Sequence, residues 1–306
     1  MVDRLCAALA VDAHDKNGEG PCWDAVRQRC IWSDNEVGII HEARSSAGGG
    51  WAESNRWNVG RPIGAAIPRR NGGFVVVGGT EILVMDETGG VRPFARLSTD
   101  ADLVTLNDAK CDPQGRLWAG TYAKDLSRGC GALYRIDGDG SVTTVLKDVS
   151  FSNGLDWSPD GTSLYYIDSM ARTVDAFDFD PVRGAISHRR TILTIRTGGF
   201  DGMTVDIEGC LWVAIYGLGE VRRYTPEGAL LTRVTIPTPA VTSCAFGGAN
   251  GEELFITSVA HIPAAVLPII GLGMDVVKAA DGAKQGGALF VCRPGPKGRP
   301  ATLFAG

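Results

Sequence analysis

Four turns along the chain repeat one pattern, a tight polar turn closed by glycine and followed by an apolar or aromatic strand: "RRNGGF" near 69, "DPQGRLW" at 112, "SPDGTSLY" at 158 and "DIEGCLW" at 206. Their glycines, Gly72, Gly115, Gly161 and Gly209, lie 43, 46 and 48 residues apart. A four-stranded antiparallel propeller blade needs a repeat of that length, and short strands such as "GALYRID" and "SVTTVL" fill the intervals. "WDAVRQRCIW" at 23–32 and "FGGANGEELFIT" at 246–257 extend the register to six units. The expectation is an all-β fold, a single six-bladed β-propeller of four-stranded antiparallel blades over residues 1–306. The N-terminal run "LCAALAV" would close the last blade and so remove the exposed edges of an open arc. A barrel or a sandwich would not produce this period, and helical periodicity is nearly absent.

Composition narrows the partners. With 41 Gly, 15 Pro, 44% hydrophobic and 21% charged residues, the chain reads as globular and rich in turns. A net charge of −5 without any Lys/Arg block argues against a nucleic-acid partner. The most apolar segment, "HIPAAVLPIIGLGMDVV" at 261–277, carries two prolines and an Asp and is too short for a membrane span. It reads as part of a loop or lid insertion in the last blade, over 261–285, or as an oligomer contact; the chain itself reads as a monomer or small homo-oligomer. The eight cysteines include no Cys-x-x-Cys pair, so most are expected to be small buried hydrophobes. The opening "MVDRLCAALAVDAHD" has too short an apolar run for a secretory signal, and a cytoplasmic protein with reduced thiols is expected. Neither a nucleotide-binding Gly loop nor a Gly-x-Ser-x-Gly element is present.

Residues an even number apart on one strand share a face. Eight before the turn glycines stand Gly64, Asn107, Asn153 and Asp201; the same count gives Ser243 before Gly251 and, in the first unit, Glu19 before Arg27. In a propeller the innermost strand of each blade runs along the central channel, so these strand starts would meet near its mouth. Two carboxylates, two carboxamides and a hydroxyl gathered there are costly to bury unpaired, and a bound cation supplies the compensation. Asp108, next to Asn107, is expected on the opposite face of its strand in a scaffold role. His261 opens the apolar segment and could face the mouth.

Five ordered motifs, "GEGPCWD" at 18–24, "NDAKCDPQGRLWAGT" at 107–121, "SNGLDWSPDGTSLYYIDS" at 152–169, "DGMTVDIEGCLWVAIYG" at 201–217 and "TSCAFGG" at 242–248, make the chain similar to the regucalcin (senescence marker protein), gluconolactonase and luciferin-regenerating family of six-bladed propellers. The resemblance implies one divalent cation held by Glu19, Asn153 and Asp201, with Asn107 in the substrate pocket. An all-oxygen set suits Ca²⁺, Mg²⁺ or Mn²⁺ better than Zn²⁺. The implied activity is a metal-dependent hydrolase that opens a small-molecule sugar lactone to its aldonic acid, with Asp201 as the base that activates water. Two positions depart from the family pattern: Thr105 stands where an Arg often contacts substrate hydroxyls, and Asp125 where a Glu is usual. Both are candidate substrate contacts. They keep two other readings open, a lactonase or esterase for non-sugar substrates and a cation-binding regulatory propeller without turnover.

Overall fold

The computed structural model describes residues 2–46 and 48–306. Six sheets stand in a ring, each built on four antiparallel strands. Their innermost strands are Gly18–Asp24, Ala65–Pro68, Val104–Cys111, Ser152–Trp157, Gly199–Val205 and Val241–Gly247. Each packs on the next, and the last packs on the first.

The repeat seen in sequence is a repeat of turn geometry. Gly72, Gly115, Gly161, Gly209 and Gly251 all have φ between 67° and 90°, and each donates its N–H to the carbonyl three residues earlier. Only glycine takes that left-handed conformation without strain. In the first blade the same role falls to Gln28, at φ 52°. Two turns carry a second device: Asp112 accepts the indole N–H of Trp118 at 3.0 Å and Asp206 that of Trp212 at 2.9 Å. This explains the shared spelling Asp-x-x-Gly-x-x-Trp.

Ring closure goes further than the sequence suggests. Ala8–Val11 pairs antiparallel with Leu289–Cys292 and completes the sixth blade, while Asp3–Cys6 runs parallel to Leu230–Thr235 and adds a fifth strand to the fifth blade. One segment therefore staples two blades together.

The insertion at 261–285 is helical, not an irregular loop: a 3₁₀ turn Ala264–Val266 and helices Leu267–Ile270 and Met274–Asp281. Its prolines begin helices instead of breaking them, Pro263 as a cap and Pro268 in a first turn, where a missing N–H costs nothing. Pieces this short show no periodicity in sequence. Leu267, Ile270, Val277 and Ala280 pack on Ala240, Val259 and Ile262, which fixes the insertion over the last two blades.

At the other end of the channel the C-terminal segment crosses from blade to blade. Gly298 N–H donates to Gly251 O, Phe304 N–H to Pro68 O and Ala305 N–H to Gly115 O, and Phe304 is fully buried between the second and third blades. Cys30, Cys111, Cys210 and Cys244 are buried and all eight thiols are free. No helix among the described residues is long and apolar enough to cross a membrane.

Candidate metal centre and substrate cavity

Every inner strand except the second is bulged at the channel mouth: between Glu19 and Cys22, Leu106 and Ala109, Ser152 and Leu155, Phe200 and Met203, and Val241 and Cys244. In each bulge two residues oppose one, so strict alternation fails there. Asn107, Asn153 and Asp201 are each the first residue of their bulge, and counting eight finds one structural position in three blades. In the first blade that position is Gly20, with Glu19 just before it, because the turn runs through Gln28. In the sixth blade it is Thr242, because the strand continues one residue further below its bulge; Ser243 lies lower, where it packs against Gly202. Gly64 brings no side chain, and a methyl group there would stand 2.4 Å from the carbonyl oxygen of Asn107.

Glu19, Asn107, Asn153, Asp201 and Thr242 line one cavity of about 400 Å³ at the mouth. Thr105 lies outside it, in an adjoining polar groove with Arg61, Glu81 and Arg96, and its hydroxyl donates to Leu106 O. Asp125 is also outside: its exposed carboxylate accepts from the N–H and hydroxyl of Ser127, while its neighbours Lys124 and Leu126 reach the cavity. His261 sits on the rim and pairs with Asp281.

The Asn153 carboxamide has a determined orientation. Ser169 Oγ lies 2.6 Å from Phe200 O, a pure acceptor, so its hydrogen points there and its lone pairs are left to accept. The Asn153 NH₂ donates into them at 2.7 Å. The Asn153 oxygen must then face the other way, where it accepts from Asn107 Nδ2 at 2.8 Å with one lone pair still free. Asn107 Nδ2 also donates to Ser152 O at 2.8 Å, which leaves the Asn107 oxygen as an acceptor toward the cavity. Ser169 had no signal in the turn-based count because it belongs to the next strand's end. Replacing it by alanine should release the Asn153 amide and weaken divalent-cation binding about 10–100-fold, read by calorimetric titration of metal-stripped protein.

The carboxylates are poorly compensated. Burial, then the charges of Asp201 and Asp108, push the Glu19 carboxyl well up, against only the Gly20 N–H at 3.1 Å. Burial and Asp108 do the same to Asp201. Asp108 is thus not on the far face of its strand: the bulge turns it toward the channel, where burial raises its own pKa. Burial followed by the nearby Asp201 and Glu19 also raises the Tyr216 hydroxyl. Lys110 does not relieve the pair, since its Nζ is taken by Asp156 at 3.2 Å and Met203 O at 2.8 Å. Among the described residues no three His, Cys, Asp or Glu side chains converge as a metal site by themselves. The donor set on offer is two carboxylates plus one oriented carboxamide oxygen, and its missing positive charge fits a hard divalent cation.

Comparison with known proteins agrees with this architecture. Residues 17–260 match the model of the SMP-30/Gluconolactonase/LRE-like region. Regucalcin from Xenopus laevis is 37% identical over 304 residues, covering 95% of both chains, and regucalcin from Danio rerio is 34% identical over 94% of this chain and 95% of its own. Among solved structures, a luciferin-regenerating enzyme superposes with a TM-score of 0.85 at 29% identity over 98% of this chain and 99% of its own. The matched region takes in all six inner strands and, with them, Glu19, Asn107, Asn153, Asp201 and Thr242 at the mouth. The chain belongs to the SMP-30/gluconolactonase/LRE-like family.

Proposed function

We propose that the chain is a lactone hydrolase that depends on a divalent cation held by Glu19, Asn153 and Asp201. The observation that carries this reading is the buried, uncompensated carboxylate pair beside an Asn153 oxygen locked toward the same cavity. Ca²⁺, Mg²⁺ and Mn²⁺ suit such oxygens. Bound there, the cation supplies Lewis-acid polarisation of the ring carbonyl. Asp201 takes the proton of the attacking water, since a carboxylate has a second oxygen free when one is ligated, and returns it to the ring oxygen as the C–O bond breaks. Asn107, its NH₂ engaged, offers its oxygen to orient the water or a substrate hydroxyl. The stacked rings of Tyr122 and Phe151, 4.2 Å apart, wall the cavity and limit water around the reacting ester.

Metal-stripped protein given Ca²⁺, Mg²⁺, Mn²⁺ or Zn²⁺ should hydrolyse members of a panel of γ- and δ-lactones, and chelation should abolish the activity. A second reading draws on a relative from Agrobacterium tumefaciens described as a calcium-binding protein, 25% identical with a TM-score of 0.83: cation binding without turnover. Cation-induced stabilisation with no lactone opened by any metal form would leave that reading in place of the first.

A further inference from the structure

The insertion builds one wall of the cavity, and it is an apolar wall. Pro263, Ala265, Val266, Ile269 and Ile270 face the cavity, and His261 on the rim is its one polar contribution among the lining residues. The wall is seated, not draped. A methyl group at Gly199 would stand 2.9 Å from Ile270 Cγ2, and one at Gly217 would stand 2.5 Å from Leu272 Cδ1. Both glycines clear space for the insertion. Gly198 N–H donates to Ile270 O at 2.8 Å, and the Arg172 guanidinium holds Pro268 O at 3.1 Å and Arg196 O at 2.7 Å.

The polar lining comes from elsewhere: Asn17, Tyr122, Lys124 and Tyr216 belong to the blades and their connections, none to the insertion. Thr105 and Asp125 lie outside the cavity, Lys16 is paired with Glu36 at 3.1 Å, and the NH₂ groups of Asn107 and Asn153 are spent on the protein. Phe151, Phe200 and Leu126 add to the apolar lining.

We propose that the preferred substrate is a lactone bearing a hydrocarbon arm, an acyl or aryl substituent that lies against Val266, Ile269 and Ile270, in place of the polyhydroxylated aldonolactones that the family resemblance implies. The inference rests on the hydrolase reading for its chemistry. Water adds its oxygen to the carbonyl carbon, the ring C–O bond breaks, and the proton taken by Asp201 passes to the departing alkoxide. The product is an apolar hydroxy acid.

The test is kcat/KM along γ-valerolactone, γ-caprolactone, γ-octalactone and γ-decalactone, beside glucono-δ-lactone and galactono-γ-lactone. Each methylene that reaches the wall should raise kcat/KM up to about fourfold, and the longer alkyl lactones should exceed both aldonolactones. Ile269→Asn should flatten the series and Ile269→Leu should keep it. In parallel, metal-free protein is titrated calorimetrically with γ-butyrolactam and γ-pentyl-γ-butyrolactam, which are not hydrolysed; the pentyl compound should bind more tightly and lose that advantage in Ile269→Asn. Aldonolactones opened as well as or better than the alkyl series, with no rise along it, overturn the proposal. A lactam preference in a protein that opens no lactone upholds the apolar wall and removes the hydrolase reading instead; loss of both trends removes the two together.

Discussion

Asp201→Asn should open lactones at least about 10³-fold more slowly than the parent protein, because on the proposed mechanism one substitution removes both a cation ligand and the proton acceptor. It should also lose the stabilisation that a divalent cation gives, about 2.7 kcal/mol at a hundred times the dissociation constant. Yet the metal-free variant should melt higher than the metal-free parent. Burial and neighbouring carboxylates raise the pKa values of Glu19 and Asp201 in the folded state, and a neutral amide removes that penalty. The sign with pH follows. A carboxyl whose folded pKa is raised costs nothing below its unfolded value near 4 and subtracts stability as pH climbs through the folded value. Metal-free parent protein should therefore lose stability over that rise and Asp201→Asn should lose less, both read by thermal melts across pH with and without cation. Parent and variant melting alike without metal at neutral pH would sink this account.

Asp156→Ala should be the most damaging single change in the channel wall. Asp156 Oδ2 meets Lys110 Nζ at 3.2 Å, Thr204 Oγ1 at 3.1 Å and Val205 N–H at 3.0 Å, while Oδ1 meets Arg299 at 3.1 Å and Trp157 N–H at 2.8 Å. One carboxylate thereby joins three inner strands and the C-terminal segment. Its loss leaves two partly buried cations unpaired, a cost of about 3–5 kcal/mol, or about 5–8 °C in melting temperature for a chain of this length. Here the pH sign reverses. Burial works against ionisation, but Lys110 and Arg299 override it and hold the pKa below the usual carboxylate range. That contribution is present above the unfolded value near 4 and is lost as pH falls through the folded one. Two acids on one channel wall thus respond oppositely to pH, because one faces cations and the other faces carboxylates. Urea melts of Asp156→Ala at neutral pH check the magnitude.

The propeller was legible because its turns demand a left-handed residue at a fixed place, and Gly72, Gly115, Gly161, Gly209 and Gly251 record that demand in the sequence. The mouth was legible where the bulge sits at constant distance from the turn, which holds for Asn107, Asn153 and Asp201. It slipped by one residue at Glu19, where the left-handed turn residue is Gln28 and not Arg27, and at Ser243, where the strand is one residue longer below its bulge. Bulges leave no clear mark in the sequence, so Asp108 was assigned to the wrong face. Ser169 acts through a hydrogen-bond direction, Asp125 is diverted by a local cap, and the insertion's helices are too short to show a period. Each of these depends on contacts between segments distant in the chain.

The C-terminal segment gives the channel a direction. Arg299, Pro300, Ala301 and Thr302 narrow its lower half to a remnant of about 80 Å³, so the cavity at the mouth is reached from one end of the channel. Traffic to the cavity is confined to the mouth end, between the insertion on one side and the groove of Arg61, Glu81 and Arg96 on the other. On the hydrolase reading, the carboxylate of a product would form beside Glu19 and Asp201 and would leave by the mouth, the same end by which the lactone came in.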